Sequence, residues 1–537
     1  MFKRGLTMQR PLLLSGIIEH AAAQFGSTEI VSREADGTLW RYDYGRCTAR
    51  ARQLANALCR LGLAPGDAVA TIAWNNHRHL EAYYAVSGSG MLMHTCNPRL
   101  PLAQLAYIIN HAEDKAVMFD LSFAPLVKAL APSCPGVRHW ILLGGSLPEE
   151  GMDGVFSYEA LLKDESESYS WPAFDENTGA ALCYTSGTTG NPKGVLYSHR
   201  AIVLNAMAEC LPSALSLSPR EVVLPVVPMF HINAWCIPYA APIAGCKLVL
   251  PGAMLDGASL HGLMEGERVT TSAGVPTIWQ SLVAHMQAHG LKLSTLRRTA
   301  VGGSALPRAL IATLSEDYGI DVRQAWGMTE TTGLATMSCL DLAQPGLSAD
   351  ERHAFIARQG RSVFGVECKV VDEQGNTLPR DGASQGELLV RGPWITASYF
   401  KSETPILVEG WFPTGDVATI AADGTVQIRD RTKDLIKSGG EWINSIELEA
   451  AAMDHPGVAM CAVIAVPSGR WGERPLMFIV PKPGVVADRD ALMATLSARV
   501  IKSWLPDEIV FLDNLPVGGT GKVQKAELRR RYGGVYG

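Results

Sequence analysis

Short apolar runs of strand length, each bounded by turn residues, alternate along the chain with stretches patterned as amphipathic helices. AVATIAW (68–74), CKLVLPG (246–252) and GELLVRG (386–392) are such runs. In RQLANALCRLG, Leu54, Leu58 and Leu61 fall on one helical stripe that stops at Gly62, a C-terminal cap. Alternation of the two periods restricts the chain to the α/β class. No internal repeat or low-complexity tract interrupts it.

At 537 residues the chain exceeds what one hydrophobic core supports, so two or more domains are expected. The boundary falls near residues 430–440, where DRTKDLIKSGGEW alternates charges and carries the Gly439-Gly440 pair, a composition suited to a hinge. Beyond it, Asn444 followed three residues later by Glu447 starts a helix running to about Met453. AMCAVIAVP (459–467) and LMFIVP (476–481) read as strands, DALMATLSARVIKSWL (490–505) as a helix and IVFLDNLP (509–516) as a strand. Together they make a small α+β unit with its own core.

The formal charge of −6 argues against nucleic-acid binding, which needs a basic face. MFKRGLTMQRPLLLSG lacks the apolar stretch and small-residue cleavage site of a signal peptide, so cytoplasmic residence is expected. Eleven cysteines without a C-x-x-C pair read as small buried hydrophobes in a reducing compartment. The apolar run Val458 to Val466 is too short to span a bilayer, so no transmembrane segment is expected.

YTSGTTGNPKG (184–194) surrounds one lysine with hydroxyls and glycines. Glycines let backbone N–H groups approach an anion, hydroxyls add neutral donors and lysine a point charge, so the segment suits a polyphosphate. It is not the common P-loop, G-x-x-x-x-G-K-[ST], because Lys193 follows Pro192 and precedes Gly194.

Seven stretches then agree in order and spacing: YTSGTTGNPKG (184–194), PMFHINAW (228–235), GGSALP (302–307), QAWGMTET (324–331), GWFPTGD (410–416), DRTKDLIKSGGEWI (430–443) and GGTGKVQK (518–525). Over about two thirds of the chain this series resembles that of the adenylate-forming acyl-CoA synthetase superfamily, nearest the bacterial medium- and long-chain fatty-acyl-CoA ligases and methylmercaptopropionate-CoA ligases. The resemblance implies an α/β fold with a large N-terminal adenylate-forming domain of several subdomains (1–431) and a small mobile α+β C-terminal domain (432–537). It implies ATP, Mg2+ and coenzyme A as reactants and metal, an acyl-adenylate as intermediate, and a homodimer.

Residue by residue, the resemblance assigns Lys522 to the bridge between carboxylate and α-phosphate. It assigns Thr185, Ser186, Gly187, Thr188, Thr189, Gly190 and Lys193 to the phosphates, and Thr185 with Glu330 to magnesium. Trp326, with Gly303, Gly327 and Thr329, falls at the nucleotide; Trp326 stands where relatives usually have a tyrosine stacked on adenine. Asp416 and Arg431 meet the ribose, while Pro413 stands where many relatives have arginine or lysine. His231 lies beside the reacting carboxylate, Trp235 gates the acyl site, and Gly302 and Gly303 border it. Lys433 is the hinge, about which the small domain turns so that Lys437 and residues 438–440 approach the adenylate and thiol.

Val227, Met229, Ile232 and Ala305 add to an apolar slot, and no arginine or lysine occurs within PMFHINAW or GGSALP to pair with a second substrate charge. An apolar, unbranched acid follows: a medium-chain fatty acid, with methylmercaptopropionate as the alternative. A carrier-protein-loading acyl-AMP ligase is a further reading, against which no carrier domain follows before Gly537. A luciferase-like oxygenase has no positive feature in its favour, and a silent binding protein is opposed by Lys522, Glu330 and Asp416.

Overall fold

A computed structural model describes residues 5–146, 154–185, 191–343, 345–439, 441–482, 484–485, 488–517 and 523–534. Among these residues the strands form four sheets. Two large sheets carry the parallel βα pattern expected from the sequence. The seven-stranded one has Ala68–Ile72 at its centre and ends in the antiparallel hairpin Gly179–Tyr184 and Gly194–Ser198. The nine-stranded one runs from Arg361–Ser362 through Asp321–Trp326, Arg298–Val301 and Thr271–Gly274 to the edge strand Leu39–Asp43.

A four-stranded antiparallel sheet follows, in the order Glu367–Val371, Gly386–Arg391, Phe412–Ile420 and Val426–Arg431. The last sheet lies in the small C-terminal domain. Its strands Val458–Ser468 and Gly472–Pro481 pack on helices Ser445–Met453 and Arg489–Ser497 through Ile436, Leu448, Val463, Met477 and Leu492. A second cluster, with Phe478 and Leu528, lies under helix Lys525–Tyr532. This is a core of its own, as a domain of this size requires.

Local expectations mostly hold. Helix Tyr44–Arg60 is capped by Asp43, which accepts from the Arg46 N–H, and closes at Gly62 with φ of 82°. Helix Ser445–Met453 starts where the Asn444 side chain accepts from the Glu447 N–H. Two expected elements are shorter than predicted. The helix expected to reach residue 505 stops at Ser497, and a separate 3-10 turn, Lys502–Trp504, follows. The strand expected to reach residue 516 is Glu508–Phe511, since Asp513, Asn514 and Pro516 favour turns and proline brings no ladder donor. All eleven cysteines are free thiols. Among the described residues no helix is long and apolar enough to cross a membrane.

Candidate active site

The neck of the phosphate-loop segment is closed by backbone. Tyr184 pairs with Gly194, and the Thr185 N–H donates to the Lys193 carbonyl at 2.9 Å. A Cβ on Gly194 would stand 3.2 Å from Leu182, Tyr184 and Phe400 at once, which is why the returning strand begins with glycine. Ser186, Gly187, Thr188, Thr189 and Gly190 lie outside the described residues. The Lys193 ammonium sits over the ring of Tyr399, 4.8 Å from its centre.

Tyr399 links this lysine to Glu330. Its hydroxyl donates to Glu330 Oε1 at 2.8 Å, and the neighbouring Thr396 N–H donates to the Glu330 backbone carbonyl at 2.8 Å. Burial and the Glu330 carboxylate push the Tyr399 phenol up, so it stays a proton donor. Glu330 is buried in the 3-10 turn Thr329–Thr331, whose Thr329 carbonyl accepts from the Tyr197 hydroxyl at 2.7 Å. A Cβ on Gly327 would lie 1.9 Å from the Gly333 carbonyl oxygen, so no side chain fits there.

Trp326 ends the strand entering that turn. Its indole N–H donates to Asp416 Oδ2 at 3.0 Å, while Arg431 Nε lies 2.7 Å from Oδ1. Asp416 and Arg431 face each other across an antiparallel pair, and Asp416 is only 2% exposed. A carboxylate has about four acceptor positions, which lets one residue serve several donors.

The segment PMFHINAW is built differently. Ile232, Asn233, Ala234, Trp235 and Cys236 have φ of 48, 50, 50, 54 and 62°, a left-handed turn of consecutive non-glycine residues. Each such residue costs roughly 1–2 kcal/mol, so the turn must be imposed by what surrounds it. A Cβ on Gly333, itself at φ 116°, would come 3.2 Å from Trp235 Cα and 3.4 Å from Ile232 Cγ2. A Cβ on Gly302 would come 3.1 Å from the Trp235 ring and 2.8 Å from the Ala325 carbonyl oxygen. Cys236 Sγ and Asn205 Nδ2 both donate to the Thr332 carbonyl, at 3.4 and 3.2 Å. His231, at the start of the turn, donates its N–H to the Pro228 carbonyl at 3.0 Å.

Of the slot residues expected from sequence, Ile232, Trp235 and Gly302 therefore belong to one contact system. Val227 and Met229 are instead buried in the main core, tied by Asn75, whose Nδ2 donates to the Val227 carbonyl and whose Oδ1 accepts from the Met229 N–H. Gly303, at φ 86°, and Ala305 are exposed.

In the small domain, the Lys437 ammonium lies over Trp442 at 4.3 Å and its backbone N–H donates to Glu473 at 2.8 Å. Lys433 follows strand Val426–Arg431. Just before it, buried Asp430 accepts from the Ser445 N–H at 2.6 Å, so the first turn of helix Ser445–Met453 docks on that strand. Lys522 lies outside the described residues; Val517 and Val523 on either side of its loop form an antiparallel bridge.

Thr185 and Glu330 offer a hydroxyl and a carboxylate, hard oxygens that suit Mg2+. Among the described residues no cluster of three or more His, Cys, Asp or Glu could hold a metal alone. Sequence reasoning missed Tyr399, Thr332, Asn205 and Cys183, the last a buried thiol that donates to Asn233 Oδ1 at 3.1 Å. A lone tyrosine in TASYFKSE carries no signal of its own, and the other three act through buried polar contacts that no spacing reveals.

The chain matches the AMP-binding enzyme family over residues 18–400 and the AMP-binding enzyme C-terminal domain over 447–522. It is 48% identical over 531 residues to the 3-methylmercaptopropionyl-CoA ligase of Ruegeria lacuscaerulensis, covering 98% of each chain. Against the medium-chain-fatty-acid–CoA ligase of Ectopseudomonas oleovorans it is 46% identical over 534 residues, 99% of this chain and 98% of the other. The same fold is seen in the crystal structure of an anthranilate CoA ligase with anthranoyl-AMP, at a TM-score of 0.86 and 24% identity over 97% of this chain and 98% of that one. The chain belongs to the AMP-binding enzyme family.

Proposed function

We propose that this acid–thiol ligase adenylates an apolar carboxylic acid, a medium-chain fatty acid, with ATP and passes the acyl group to coenzyme A. A carboxylate is a poor acyl donor because oxide would have to leave. Making the acyl-adenylate replaces oxide with AMP and releases pyrophosphate, after which the thiol displaces AMP. Both reactants must therefore meet at one point, held there by positioning and preorganised charge. The observation that carries this reading is the junction at residues 325–330. There the Ala325 carbonyl and the Trp235 ring each close on Gly302, the Trp326 indole binds Asp416, and Glu330 follows on the next turn.

In this scheme Asp416 and Arg431 orient the ribose and Trp326 covers adenine. Thr185 through Gly190 and Lys193 hold the phosphates, with Thr185 and Glu330 at magnesium. His231 lies beside the acid's carboxylate and Lys522 draws carboxylate and α-phosphate together. The domains divide at 431/432, and rotation at Lys433 withdraws Lys522 and brings Lys437 in for the thiol step. Cytoplasmic residence and a homodimer complete the proposal, the latter checked by light scattering.

The test is pyrophosphate and AMP release by purified protein with ATP and Mg2+ across butyrate, octanoate, palmitate, methylmercaptopropionate and cinnamate, with and without coenzyme A. AMP turnover that requires coenzyme A and peaks at octanoate is the expected result. A peak at methylmercaptopropionate selects the second reading, the acid for which the 48% identical relative is named. Pyrophosphate release indifferent to coenzyme A would move the assignment to a carrier-loading enzyme. Lys433→Pro should spare pyrophosphate release and stall thioester formation; normal thioester output would mean the hinge lies elsewhere.

A further inference from the structure

We propose that Asn233 is a positioning residue for the acid, locking the left-handed turn against strand Gly179–Tyr184 and so fixing Trp235 over Gly302 and His231 at the start of the turn. Glycine apart, asparagine is among the residues that enter the left-handed region most readily. Here its side chain is also 1% exposed and engaged at both ends. Oδ1 accepts from Cys183 Sγ at 3.1 Å, and Nδ2 faces the Tyr239 hydroxyl at 3.5 Å. Thr95 Oγ1 meets the same sulfur at 3.3 Å. One buried thiol thus ties Thr95 on the neighbouring strand to the asparagine within the left-handed turn.

The partners of Asn233 are themselves fixed. Tyr239 stacks on Tyr83 with ring centres 5.5 Å apart, and the Tyr83 hydroxyl donates to the Met229 carbonyl. The segment is therefore held on both sides of His231, at Met229 by Tyr83 and Asn75 and at Asn233 by Cys183 and Tyr239. Beyond the second anchor Trp235 Cα lies close over Gly333, with its ring tip at Gly302. Removing the anchor frees a strained backbone to relax, and Trp235 and His231 move with it. The contacts of Lys193, Glu330 and Asp416 lie on other segments and stay.

Because this role rests on assigning residues 228–235 to the acid, the experiment carries one readout independent of that assignment. The proteins are wild type, Asn233→Ala, Asn233→Gly and Asn233→Asp, each also produced with 5-fluorotryptophan, the Trp235 resonance being identified by Trp235→Phe. Asn233→Ala and Asn233→Gly should raise the acid KM about tenfold or more with the ATP KM unchanged, and should displace or broaden the Trp235 19F signal. Asn233→Asp keeps the left-handed preference and the acceptor, and should return the acid KM to within about threefold of wild type. Should the alanine variant not fold, the glycine variant, at ease at φ 50°, carries the test. Acid KM and 19F signal at wild-type values in both variants, or an equal rise in the two KM values, would overturn the proposal. If the wild-type protein releases no pyrophosphate with any acid, the functional assignment fails, while the 19F shift still decides whether Asn233 holds the turn.

Discussion

The residues proposed for the nucleotide side and those proposed for the acid side meet at residues 325–333 but are held in place by different means. On the nucleotide side, side chains stand on ordinary strands and turns and are aimed by charge-assisted contacts: Arg431 and Trp326 to Asp416, Tyr399 to Glu330. On the acid side, the backbone itself is bent into a left-handed turn and kept there by Cys183, Thr332 and two close-lying glycines. A charged partner can be lost one contact at a time. A strained turn is held or released as a whole.

Four substitutions would break or sharpen that contrast. Gly327→Ala should have the largest effect, because its Cβ would meet a backbone oxygen at 1.9 Å and the carbonyl it meets belongs to Gly333 under the turn. It should lower stability by about 3 kcal/mol or more and disturb both sides, raising ATP and acid KM together; a denaturant midpoint equal to wild type would contradict the close approach. Asp416→Ala comes next, with a loss of about a hundredfold, about 2.7 kcal/mol, in kcat/KM for ATP. The acid KM should not move, and if it rises equally the two sides are one unit. Gly302→Ala is the counterpart on the acid side. It should raise the acid KM by roughly tenfold and leave ATP alone, as steady-state titrations of each substrate would reveal. Tyr399→Phe should have the smallest effect, about 1 kcal/mol or roughly fivefold in kcat. Loss of the phenol leaves Glu330 less well aimed, so more Mg2+ should be needed for half-maximal rate; an unchanged Mg2+ dependence would confine Tyr399 to packing.

The residues proposed for the nucleotide side were picked out in the sequence by the order and spacing of seven motifs, not by residue type. Asp416 and Glu330 taken alone are ordinary acids, and their burial and their partners Arg431, Trp326 and Tyr399 appear only in the fold. The parallel sheets were legible for a different reason: fully buried strands read as continuous apolar runs, and Ala68–Ile72 is buried at every position. Other features were not. Nothing in INAWC announces five positive φ angles, since only Asn233 favours them and the cause lies in Cys183, Thr332 and Gly333, distant in the chain. Helix Arg489–Ser497 was overextended for a related reason. Alternating apolar residues continue past it to Leu505, but the chain turns at Ala498, where its N–H caps the Ala494 carbonyl.

The left-handed turn also sets a hazard for anyone selecting heat-resistant variants of this protein. Replacing Ala234 at φ 50° by glycine removes a steric conflict at the loss of one buried methyl, and after allowing for the looser unfolded chain, changes of this kind raise stability by up to about 1 kcal/mol. A thermal screen blind to substrate would keep such changes. They would also let Trp235 wander from Gly302, so at this position melting temperature and grip on the acid should move in opposite directions. Thermal resistance is better sought far from the turn, in loops whose backbone is already at rest.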